Sequence, residues 1–94
     1  MFTIPRNNVI ESDEGFSVEV LGRTGLLYTE GARRLQIDSE MLTGPHGLGI
    51  YTDSIVSWMP PHNGEVIDEA HRAAIVENIR RAFLFDGYEI DVIG

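Results

Sequence analysis

Three histidines, His46, His62 and His71, are the side chains of this chain that titrate near neutral pH. A zinc centre needs three or four ligands brought together, and the nearest set in sequence is His62, His71 and an acid such as Glu65 or Asp68. Their spacing matches neither a His-Glu-x-x-His helix nor any pair of histidines three or four residues apart, so no metal site is expected. His46 and His62 read as solvated loop residues, and His71 as a first-turn helix residue near acids. Nucleophilic chemistry is poorly served too. There is no cysteine, and all seven basic side chains are arginine, which removes thiolate catalysis, Cys-ligated zinc, disulfides, Schiff bases and the P-loop lysine. Ser54 and Ser57 lack a Gly-x-Ser-x-Gly elbow, and the spacing of Gly44, Gly47 and Gly49 fits neither a Walker loop nor a dinucleotide turn. A carboxylate pair such as Glu30 and Asp53 has the chemistry for acid/base work, but among fifteen acids some pair always looks suggestive. The expectation is a protein that is not an enzyme and carries no cofactor.

What remains is a surface. Tyr51, Trp58 and the Pro60-Pro61 step combine amphipathic aromatics, of the kind enriched at binding hot spots, with a stiff extended backbone. Trp58 has two readings: it closes the open end of a core beneath a helix, or it anchors a partner. Tyr51 and Trp58 are an odd number of residues apart and face opposite sides of an uninterrupted strand, unless a break at Asp53 intervenes.

The formal charge is 7 minus 15, or −8. Such a field repels phosphate backbones, so no direct nucleic-acid partner is expected, and it attracts cationic surfaces. Residues 42–64 hold one acid, Asp53, and no base. The 94 residues, 43% of them hydrophobic, fit a single domain over 1–94, with residues 1–8 expected to be loosely ordered. No run approaches the roughly 18 apolar residues of a membrane span, and the first residues lack a signal peptide's apolar region. A cytoplasmic location with no membrane partner is the expectation.

The elements that must position these side chains follow from periodicity. Residues 9–12 and 16–20 flank Asp13-Glu14-Gly15 and predict a hairpin, with Phe16, Val18 and Val20 on one face and Ser17 and Glu19 on the other. Residues 26–30 and 33–38 predict two more strands, with Leu35 and Ile37 inward and Arg34, Gln36 and Asp38 outward. Residues 39–49, rich in glycine, read as a loop, and residues 50–58 as a strand interrupted near Asp53 and Ser54, stopped by the prolines. Asp68 reads as the N-cap of a helix that ends at Phe85-Asp86-Gly87, with Ile75, Val76, Ile79, Ala82 and Phe83 on one stripe and Glu77 placed to pair with Arg81. Residues 88–92 alternate and return to the sheet. The predicted fold is α+β: an antiparallel sheet of five to six strands, one C-terminal amphipathic helix on one face and a short final strand.

The order of several motifs resembles the immunity protein 74 family of bacterial polymorphic toxin systems. They are Tyr28-Thr29-Glu30, the Arg33-Arg34 strand ending in Asp38-Ser39-Glu40-Met41, Tyr51-Thr52-Asp53-Ser54-Ile55, Trp58-Met59-Pro60-Pro61, Gly64-Glu65 and the helix closing on Gly87. The resemblance implies a small intracellular protein that binds a cognate toxin domain, blocks it and brings no catalytic residues. Under it Glu30, Arg34, Glu40, Asp53 and Trp58 occupy family-like positions, which with Tyr51 and Pro60 form the expected partner-binding set. The acidic balance suits a basic, nuclease-like toxin. Two rival expectations are a structural or assembly module that adds its sheet edge to a partner or itself, and a small hydrolase using carboxylates around the glycine loop.

Overall fold

The strands form where apolar and polar residues alternate, in the computed structural model that describes residues 1–22, 24–41 and 47–93. The elements are β1 (Phe2–Arg6), β2 (Val9–Ser12), β3 (Phe16–Val20), β4 (Gly25–Glu30), β5 (Arg33–Met41), β6 (Leu48–Tyr51), a 3-10 turn (Thr52–Ser54), α1 (Glu69–Phe85) and β7 (Ile90–Ile93). The sheet order is the chain order, β1 to β7. The pairs from β1 to β6 are antiparallel, whereas β7 lies parallel to β6. A parallel neighbour cannot be reached by a hairpin, and α1 lies in the crossover that delivers it.

The fold is α+β with a C-terminal helix and a short last strand, and it has seven strands where five to six were expected. The extra strand is β1. Pro5 argues against a strand in the sequence, but β1 is at the sheet edge, where a missing amide hydrogen leaves no ladder bond unmade. A second difference is the length of β5, which continues through Ser39, Glu40 and Met41 to pair with β6. Residues 39–41 and 48–49 are therefore strand where a loop was expected, while Thr43, Gly44, Pro45 and His46 lie outside the described residues. No strand follows the break at Asp53: residues 52–54 form the 3-10 turn, and Ser57 makes only an isolated bridge with Val66.

Register decides which face each residue takes. Ile10, Val18, Tyr28 and Leu35 stand opposite one another across β2 to β5, and Leu26 pairs with Ile37. These residues, Ile50 from β6, Trp58 from the following loop and Ile75, Ile79, Ala82 and Phe83 from α1 form one core cluster. Burying each large aliphatic side chain stabilises the fold by about 1.5–3 kcal/mol, so this cluster holds the helix on the sheet. Asp68 Oδ1 accepts a hydrogen bond from the His71 amide at 2.7 Å, a cap worth about 1 kcal/mol. Gly87 ends the helix with φ +89°, where any Cβ would be strained. Arg81 does not take the expected Glu77. It forks onto both carboxylate oxygens of Glu14 in the β2–β3 turn, and Glu77 pairs with Arg80 at 3.4 Å.

Candidate functional site

The expected site residues separate onto the two sides of the sheet. Along β5, Arg34, Gln36, Asp38 and Glu40 alternate outward and are exposed, away from α1. Pairing extends this face across the sheet: Glu11 stands opposite Ser17, Ser17 opposite Thr29 and Thr29 opposite Arg34, while Glu19, Leu27 and Gln36 form the adjacent row. Tyr51 joins it from β6 and donates its hydroxyl to Glu40 Oε2. That bond to a carboxylate is the main reason the Tyr51 phenol is held above its ordinary value. Asp53 sits exposed at the rim, in a turn hooked to β5 by the Asp38 amide, which donates to Ser54 Oγ at 2.9 Å. Arg34, Glu40 and Tyr51 thus share one face with Asp53 beside it.

Glu30 and Trp58 are elsewhere. Trp58 is 2% exposed and stacks on Tyr28 with ring centroids 6.5 Å apart, while the His71 ring lies 5.5 Å from it at a tilt. The indole is therefore a core residue and presents no surface of its own. Glu30 completes a chain of polar contacts around that stack. Asn78 Nδ2 donates to the Tyr28 hydroxyl at 2.9 Å, the hydroxyl donates to Glu30 Oε1 at 2.8 Å, and His71 Nε2 lies 2.8 Å from Glu30 Oε2. Burial drives the Tyr28 phenol well above its ordinary 10.0, with Asn78 opposing and Glu30 adding to the rise. Tyr28 and Glu30 share a strand face, and His71 and Asn78 are seven residues apart on one helix face; these spacings were the available sequence signal.

The Pro60-Pro61 step, which contains a cis peptide bond, lies exposed in a loop fastened to the start of β5. The Met59 amide donates to the Arg34 carbonyl at 2.8 Å. Glu65 receives Arg33 Nε at 2.8 Å and lies 2.6 Å from His62 Nδ1, and Arg33 first, then His62, holds its carboxyl below the ordinary range. Pro60 follows Met59 in the loop that the Met59 amide fastens beside Arg34.

As chemistry, these arrangements offer little to a substrate. His62 is engaged with Glu65 and His71 with Glu30, and among the described residues no three His, Asp or Glu side chains gather in a form that could hold a metal. A groove of about 450 Å³ between the β1–β2 hairpin and the end of α1 is lined by Ile4, Leu48, Phe83 and Tyr88 among others, and by none of Glu30, Asp53 or His71. No helix among the described residues is long and apolar enough to cross a membrane. Residues 17–93 match the family model described as Immunity protein 74. No curated protein and no solved structure matches the chain.

Proposed function

The chain belongs to the immunity protein 74 family, and on that premise we propose that it binds a cognate toxin domain and neutralises it by occlusion, protecting the cell that makes it. The observation that carries this reading is the span of the family match, which runs from Ser17 in β3 to the end of β7 and includes the whole helix. Binding without turnover is supported by the engagement of His62, His71 and Glu30 in contacts within the chain. A basic toxin suits the charge of −8, because opposite fields raise encounter rates by about 10- to 1000-fold. The site of action is the cytoplasm, before the toxin reaches its target.

Co-expression tests this directly. A candidate toxin domain is expressed with and without this chain, and growth is scored. Growth restored only in its presence, with both products co-purifying at moderate salt, is the expected result. Persistent toxicity without a complex would sink the proposal, as would substrate turnover abolished by changing one ionisable side chain of a folded protein.

A further inference from the structure

Charge is compensated differently on the two sides of the sheet. On the helix side and in the loop beside it, Glu14 pairs with Arg81, Glu77 with Arg80, Glu65 with Arg33 and Glu30 with His71, while Glu69 and Asp86 have no ion-pair partner among the described residues. On the open face Glu19 has Arg6 at 3.6 Å, but the side chains of Glu11, Asp38 and Arg34 have no ion-pair partner among the described residues. Glu40 is met by the neutral hydroxyl of Tyr51. Among the described residues, three carboxylates without a cation thus stand against one unpaired arginine, on a pleated surface with Leu27 half-buried in its middle.

We propose that this uncovered face, bounded by Glu11, Asp38 and Glu40 and centred on Leu27, is the surface that engages a broad cationic face of the toxin domain. The inference rests on the occlusion reading above and specifies where occlusion happens. Spacing selects the class of partner. Glu11 on β2 and Asp38 on β5 are three strands apart, about 14 Å across the sheet at about 4.8 Å per strand, and four residues further apart along it. A metal ion bridges ligands about 2–2.6 Å from itself and cannot span that distance. A protein surface with dispersed arginines or lysines can, and an apolar centre within a polar rim is how protein interfaces are commonly built.

The experiment compares two charge-matched triple variants: E11Q with D38N and E40Q on the open face, and E69Q with E77Q and D86N on the helix side. Each removes three negative charges, and all the open-face positions are exposed, so melting temperatures establish that both variants fold. Association with the toxin domain is measured at about 50 mM and about 500 mM salt. The open-face triple should associate about 10- to 100-fold more slowly at low salt, with the gap closing at high salt, while the helix-side triple stays within about 3-fold of the wild type. Equal slowing of both triples, or an unimpaired open-face triple, overturns this surface and leaves occlusion standing. Failure of the wild type to bind or rescue overturns the occlusion reading itself, and this inference with it.

Discussion

On the helix side of the sheet, Ile10, Val18, Tyr28, Leu35 and Ile37 are buried against Ile75, Ile79 and Phe83, and four of the polar side chains that enter, Tyr28, Glu30, His71 and Asn78, bond one another. On the opposite side, the alternate residues of the same strands, Glu11, Ser17, Gln36, Asp38 and Glu40 among them, meet solvent or lie only half covered. A strand places successive side chains on opposite faces, so each strand contributes to both environments. One side supplies the stability that conformational entropy opposes, and the other is left free of that duty. The difference teaches where to seek each property: folding free energy beneath the helix, and on the exposed pleat the recognition proposed above.

The comparison is tested most severely at Trp58. Its replacement by alanine should cost about 3–5 kcal/mol in urea unfolding, because the indole fills the space between Tyr28 and His71. A loss under about 1 kcal/mol would mean that the indole is not a core residue. Tyr28→Phe comes next, at about 1–3 kcal/mol, since Asn78 and Glu30 then lose the hydroxyl between them. An unchanged midpoint would show that water replaces it. Alkaline titration probes the same ring without mutation. The folded state favours the neutral phenol of Tyr28, chiefly through burial, so this stabilisation is complete below pH 10.0 and is lost as pH rises through the raised folded value. Stability flat from pH 9 to 12 would contradict it; Tyr51, raised mainly by Glu40, adds in the same direction. The smallest effect is expected at Ser39, whose buried Oγ lacks a hydrogen-bond partner among the described residues. Ser39→Ala should raise stability by up to about 1 kcal/mol, and a loss would reveal a partner for that hydroxyl.

Much of this division was legible in the sequence. Strict alternation in residues 16–20 and 33–38 assigned Arg34, Gln36 and Asp38 outward, and the cap at Asp68 with the stripe from Ile75 to Phe83 located the helix. The β5 extension was hidden because Ser39, a polar residue, occupies an inward position and glycines follow. Trp58 kept two readings because its placement depends on the Met59-to-Arg34 bond and the Ser57–Val66 bridge, contacts that join distant segments. The Glu30–His71 contact spans 41 residues, and neither side chain's neighbourhood in sequence announces the other.

The pleat of β5 has a consequence for heredity. Arg34, Gln36, Asp38 and Glu40 lie between Leu35, Ile37 and Ser39 in sequence but on the other side of the backbone, so a codon change at one set leaves the packing of the other nearly untouched. Partner choice can then drift by single substitutions while the melting temperature holds.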